Sequence, residues 1–357
     1  MIEPRTDQRR DWLWAMAVAA IVILSRVLLS EVRGFWLDEY HTLRAAQMSL
    51  PDMIANRLQA GHSPLYFLYA RIGFILGTNE WMLRASSALA AGATTLLLTG
   101  LARTMGMRQI LPALWGLCLF APYWLSAGTE YRYMMPLIAL TALGAWTGAL
   151  YAPAPTITRG IAAAIALILI LWTHATGAFA VFGIFLFFAW EFYSRHRNLK
   201  QTLLRCWPAW IAGASAVPMF LLLSDGAQGE KSRAIPDVGE LFRDMAETVF
   251  GKLNLWPQTF SDSDMDYAIM LPGMLLIVVA AILAWKRLKA PDEKPSARLL
   301  LAMLVGLPLG QVLFALTIKQ TQGLTRYLAP FSVPAIMLLA FGWHAQWKYR
   351  RWFRGVF

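Results

Sequence analysis

Five short stretches of this chain carry residues that could do chemistry, and each lies beside a long apolar run. Trp36-Leu37-Asp38-Glu39-Tyr40 offers two adjacent carboxylates. Held at a membrane face, Asp38 with Glu39 beside it could act as a general base toward an attacking hydroxyl or amine. Asp38 could equally cap a helix running through Leu43 and Ala46. In Gly61-His62-Ser63-Pro64-Leu65-Tyr66, proline ends the loop rigidly, and His62 either faces a phosphate or is an ordinary surface residue. Glu130-Tyr131-Arg132-Tyr133 sets an acid beside a cation. The planar fork of Arg132 suits an anionic headgroup with Glu130 orienting it, or the two charges neutralise each other. Tyr66 and Tyr131 stand next to these groups as candidate substrate contacts. His174 interrupts an apolar stretch at Thr173-His174-Ala175-Thr176-Gly177, as a ligand contact or a hydrogen-bonded structural residue. Arg326 and Tyr327 open another run before Pro330, either as phosphate ligands or as a snorkelling arginine with an interfacial tyrosine. Asp262, Asp264 and Asp266 alternate as in a calcium loop but lack the glycine and distal glutamate of that motif.

What must position these groups is a membrane bundle. Of 357 residues, 58% are apolar and 15% charged, with mean hydropathy +0.48; soluble domains average roughly 45–50% and 25%. A conventional globular protein is excluded. Cys118 and Cys206 fall in or beside apolar runs, so there is no disulfide framework and no CxxC motif. No Walker loop, HExxH, GxSxG or GxGxxG in a strand–helix context occurs, which argues against nucleotide-driven and zincin chemistry. The net charge of +11 would suggest nucleic acid in a soluble protein, whereas in a membrane protein the placement of each cation matters more.

Apolar runs near the ~20 residues needed to cross a bilayer fall at 12–30, 81–102, 110–127, 131–151, 206–224, 267–285, 298–318 and 327–347. The stretch 159–191 reads as two short spans turning at His174. Residues 64–77 are too short and carry Arg71, so they should lie along the interface. Ten crossings result, with both termini on one side. The connections on that side carry 19 Lys and Arg against 6 acids, while the opposite loops carry 10 against 15. By the positive-inside rule both termini are cytoplasmic, and every stretch named above faces the other side.

The first span, after Arg5, Arg9 and Arg10, reads as a retained signal anchor. Residues 1–357 form one integral membrane domain, with outer loops at 31–80 and 225–266 and no soluble C-terminal domain. In the second loop Asp237 and Glu240 make a capping box ahead of the helically spaced Val238, Leu241, Phe242, Met245 and Val249. Gly144 with Gly148, and Gly306 with Gly310, are small-residue pairs for helix packing.

A base, cations for phosphate and an apolar body on one face fit group transfer from a polyprenyl-phosphate carrier. The blocks WLDEYHTLRAA, GHSPLYFLYARIGFILGTNEWMLRASSALA, EYRYMMPLIAL, WTHATGAFA and TRYLAPFSVP resemble the GT-C glycosyltransferases. Within them the chain is most similar to the protein O-mannosyltransferase and lipid A aminoarabinose transferase branch, over roughly 12–190 and 320–345. The resemblance implies an all-α GT-C-like bundle of about ten spans with juxtamembrane helices in the outer loops.

It further implies Asp38 as catalytic carboxylate, with Glu39 beside it, and Arg132, Arg326, Tyr327 and His62 on the donor phosphate. Glu130, Tyr131, His174 and Tyr66 would line the substrate. The donor would be a sugar on undecaprenyl or dolichyl monophosphate, and the acceptor a lipid, glycan or protein. Transfer would be inverting, at the periplasmic face of a bacterial inner membrane, with no cofactor required and a divalent cation left open. Nucleic acid is not an expected partner. Two other readings stand beside this one: a polyprenyl-pyrophosphate-dependent ligase or polymerase, and a lipid-linked sugar transporter. Transporters usually place their polar groups near the bilayer midplane.

Overall fold

The computed structural model describes residues 5–32, 34–60, 62–226, 294–318 and 325–353, with single helical positions at 245, 275, 278, 279 and 282. Among these the regular elements are all helices, packed as a bundle. Among the described residues five helices are long and apolar enough to cross a bilayer, six if one bent pair counts as a single span. The expected span at 267–285, the Asp237–Glu240 helix and the Asp262–Asp266 run lie outside the described residues.

The bundle is built on α1 (Arg5–Leu29), α6 (Glu80–Thr104), α9 (Met134–Tyr151), α10 (Ile157–Thr173), α11 (Gly177–His196), α13 (Trp207–Gly226) and α14 (Lys294–Ile318). Helices α6 and α9 are central: 78% and 72% of their most apolar stretches are buried, against 28% for α1. Helix α1 packs on α6, α6 on α9, α9 on α10 and α10 on α13. Helices α11 and α14 cross closely because Gly183 meets Gly306, where an added Cβ would lie 2.6 Å from the Gly183 Cα. Residues 174–176 break α10 from α11, so 159–191 is two helices, extended to 157–196.

Three boundaries differ from the sequence expectation, each for a stated reason. Residues 110–127 are not one straight span but α7 (Leu111–Phe120) and α8 (Pro122–Gly128), bent by 55°. Pro122 has no N–H for the Cys118 carbonyl four residues back. Arg26 of α1 donates to that carbonyl instead, Nη2 to O at 2.8 Å. The span expected from 131 begins at Met134, because the Tyr131 N–H goes to the Glu39 carboxylate at 2.7 Å. The last span opens with a 3₁₀ turn, Thr325–Phe331 around Pro330, before α15 (Ser332–Phe353).

Residues 31–80 fold into α2 (Leu37–Gln47), α3 (Leu50–Gln59), α4 (Leu65–Ala70) and α5 (Ile72–Leu76). Ser49 caps α3 by accepting the Asp52 N–H. Helices α4 and α5 together are about 18 Å long at ~1.5 Å per residue, too short to cross. They pack on α6 at Gly73, where a Cβ would stand 2.9 Å from the Leu83 backbone. Short α12 (Leu199–Arg205), capped by Asn198, joins α11 to α13 at the other end of the bundle.

Candidate active site

The site grows from the first turn of α2. Its N-cap is Trp36, which puts Asp38 and Glu39 inside the helix and corrects the reading of Asp38 as the cap. Both acids sit where the helix dipole favours negative charge. The Glu39 carboxylate accepts the Trp36 N–H at 3.3 Å, the acidic half of a capping box. Successive helical residues diverge by about 100°, so the two carboxylates face different surroundings.

Glu39 turns inward and is fully buried. Arg84 of α6 grips it with both edges of its fork, Nε to Oε1 at 2.8 Å and Nη2 to Oε2 at 2.7 Å. Arg84 also donates to the carbonyls of Ser30 at 2.6 Å and Gly34 at 3.0 Å, and lies 4.7 Å over the Phe35 ring. Phe35 stacks on Tyr131, ring centroids 6.2 Å apart, and the Tyr131 hydroxyl donates to the Ala70 carbonyl at 2.6 Å. One buried ion pair thereby fixes the end of α1, the start of α2, α4, α6 and the 129–133 turn. Fully hydrogen-bonded, a buried pair of this kind specifies geometry; missing one partner, it is costly.

Asp38 turns outward. Its Oδ2 lies 3.1 Å from Arg132 Nη2, and Arg132 Nη1 donates to the Asp38 carbonyl at 3.2 Å. The pair is open, with side chains 25% and 14% exposed. The buried Nε of Arg132 has no hydrogen-bond partner among the described residues, and neither has the buried Ser63 hydroxyl. Arg132 is thus held by Asp38, while Glu130 Oε1 accepts from Ser126 at 3.0 Å and its carbonyl accepts from Ser87 at 2.5 Å. Glu130 anchors the turn to α8 and α6.

Aromatic rings line the open pair. Arg132 lies 5.5 Å from the ring centroids of both Trp36 and Tyr133. Tyr133 stacks flat on His174, centroids 3.8 Å apart and planes 4° apart, and meets Tyr66 edge-on at 6.1 Å. Tyr66 touches Phe67, which carries the exposed His62 on one side and Arg57 on another. The Thr176 N–H donates to His174 Nδ1 at 3.3 Å, which leaves the proton of a neutral ring on Nε2. Burial, above all, holds the Tyr66 phenol protonated well above its ordinary range, making it a donor and not a base.

The fold therefore brings Asp38, Arg132, Tyr66, His174 and His62 into one connected wall, with Glu39 and Tyr131 in the hub beneath. The backbone of Arg326 and Tyr327 falls in the 3₁₀ turn that packs on α9, α11 and α14; their side chains lie outside the described residues. Among the described residues no three His, Cys, Asp or Glu gather as a metal cluster. Sequence reasoning missed Arg84 as the partner of Glu39, and Trp36, Tyr133 and Ser63. An arginine inside an apolar span was a signal for the first, since such a charge needs a partner.

No family model matches the chain, and no curated protein matches it. Two crystal structures do: ArnT from Cupriavidus metallidurans in the apo state, and the same protein bound to undecaprenyl phosphate. Each superposes with a TM-score of 0.57, at 16% and 18% identity, over 92% of this chain. The chain spans 58% and 59% of those chains, so the likeness is one of fold across somewhat more than half of ArnT. What the chain and ArnT share is therefore a helical fold.

Proposed function

We propose that the chain is an inverting glycosyltransferase, moving a sugar from a polyprenyl monophosphate to a lipid, glycan or protein acceptor at the periplasmic face of a bacterial inner membrane. The observation that carries this reading is the open Asp38–Arg132 pair, whose guanidinium keeps one buried N–H without a partner among the described residues. A buried donor left so in a native site calls for an acceptor from outside the protein. An anionic phosphate beside a carboxylate answers that need, and a protein of the same fold binds undecaprenyl phosphate.

In this mechanism the donor phosphate engages Arg132 in place of the Asp38 carboxylate, which then faces the acceptor. The acceptor oxygen or nitrogen bonds to the anomeric carbon as its proton passes to Asp38. The bond from that carbon to the phosphate oxygen breaks, and its electron pair leaves with the polyprenyl phosphate. Arg132 stabilises the charge that develops there, the kind of contribution that is often largest in catalysis. Arg326, Tyr327 and His62 are assigned to the same phosphate, and His174, Tyr66 and Tyr131 to the substrate wall. Glu39 holds the geometry from below and does not touch the reacting atoms.

The test is release of free polyprenyl phosphate from a panel of sugar-loaded polyprenyl monophosphates, with membrane extract as acceptor source. Wild-type protein should release it and Asp38→Asn protein should not. Release from pyrophosphate-linked donors alone would replace this reading with that of a ligase.

A further inference from the structure

At the end of α1 remote from Asp38, a cavity of about 550 Å³ opens between the start of α1 and the start of α7. Arg10, Asp11 and Trp14 line one side, and Arg108, Gln109 and Trp115 the other. Asp11 is already engaged: Arg108 Nε donates to it at 2.7 Å, and Arg103 reaches it from α6. Two guanidiniums therefore hold one carboxylate, and with Arg10 at the rim the described cluster is net positive. Arg10 is exposed at the rim. Below the rim, α1 turns Leu13, Trp14, Met16, Ile21, Leu24 and Leu28 outward, and it is the least buried of the five candidate spans among the described residues.

The geometry points to a binding site for the headgroup of an anionic phospholipid, with the phosphate among Arg10, Arg108 and the Gln109 amide. Its acyl chains would descend along the outward face of α1. A free anion would use only the basic rim. The continuous apolar face beneath, and the tryptophans Trp14 and Trp115 at the depth of a headgroup–acyl boundary, are what a lipid uses in addition. Basic pockets between spans are the usual way membrane proteins take anionic headgroups. The site is separated from Asp38 by most of α1, about 27 Å from Asp11 to Leu29 at ~1.5 Å per residue, and it stands whether or not the proposed transfer is right.

The test measures retention of dioleoyl phosphatidylglycerol on the purified full chain by native mass spectrometry, with dioleoyl phosphatidylcholine as the neutral lipid. Phosphatidylglycerol should bind at a fixed stoichiometry and phosphatidylcholine should not. Arg10→Ala, at an exposed position, should weaken retention by about fivefold, the contribution of one cation near an anionic lipid surface. Arg9→Ala removes the same charge next door but outside the cavity, and should leave retention unchanged. Equal losses in both variants would reduce the effect to bulk attraction and overturn the site. Stabilisation by inorganic phosphate alone, matching that by the lipid, would overturn the lipid assignment in favour of a free anion.

Discussion

Asp38 and Glu39 are neighbours in sequence, each takes an arginine, and each of those arginines lies over an aromatic ring, yet the two pairs have opposite characters. Glu39–Arg84 is closed: side chains with no exposure, both carboxylate oxygens doubly engaged, and the guanidinium spent on carbonyls from two other segments. Asp38–Arg132 is open: partly exposed, joined by an ion-pair contact and a backbone bond, with an arginine N–H that has no partner among the described residues. A single step of helical rotation separates them. The closed pair has no capacity left for a ligand and can only hold the fold. The open pair is within reach of a ligand, and its position is dictated by the closed pair one residue away. Rigid support beneath and unsatisfied groups above are what a site requires when its geometry must survive the exchange of ligands.

The sharpest way to break this contrast is to neutralise each carboxylate in turn. Asp38→Asn should lower turnover by at least about a hundredfold, within the ~3–5 kcal/mol typical of a positioned base. Its thermal midpoint in detergent should stay within a degree or two of wild type. Glu39→Gln leaves the buried Arg84 with only the half-exposed Glu80 at 3.7 Å as counter-charge, a loss approaching the ~3–5 kcal/mol of a broken buried pair, and should appear as a lowered midpoint and poor recovery of folded protein. If Asp38→Asn melted early and Glu39→Gln merely slowed turnover, the roles would be reversed.

Next in size is Arg132→Lys, which keeps the charge but loses the fork. A point charge cannot hold both the Asp38 carbonyl and an anionic ligand. The Michaelis constant for donor should rise about tenfold, with a smaller fall in turnover. Unchanged donor affinity would remove Arg132 from the phosphate. Arg84→Lys, by contrast, should cost stability and leave the donor constant of the surviving folded fraction near wild type.

The open pair was far more legible in the sequence than the closed one. Asp38, Arg132, His62 and His174 all stand at the ends of apolar runs, where a polar residue is conspicuous and the charge parity of the loops puts them on one side. Nothing local announces that Glu39 finds Arg84, 45 positions away, because the choice of inward or outward face depends on where α2 begins. That start is set by Trp36 and not by an ordinary capping side chain, and the expected cap at Asp38 moved the register accordingly. The bend at Ala121 was readable in principle from Pro122. What was not readable is that Arg26, nearly a hundred residues earlier, supplies the missing donor and lets a broken helix persist among spans. The helix class and most span positions follow from hydropathy alone, whereas boundaries followed the tertiary hydrogen bonds that hydropathy does not see.

The smallest effect separates the two rings beneath the two arginines. Trp36 is 38% exposed and lies 5.5 Å from Arg132, whereas Phe35 is packed between Arg84 and Tyr131. Cation–π contacts contribute about 0.5–1 kcal/mol where water reaches them and about 2 where it does not. Trp36→Leu should therefore raise the donor Michaelis constant only about two- to fivefold and leave the thermal midpoint unmoved. Phe35→Leu should leave the donor constant alone and lower the midpoint, because it loses the buried contact together with its stack on Tyr131. Paired steady-state and melting measurements on the two variants read both quantities. A crossed result, with Phe35 acting on donor affinity and Trp36 on stability, would mean that the buried hub takes part in binding and that the division between support and site lies elsewhere than between residues 38 and 39.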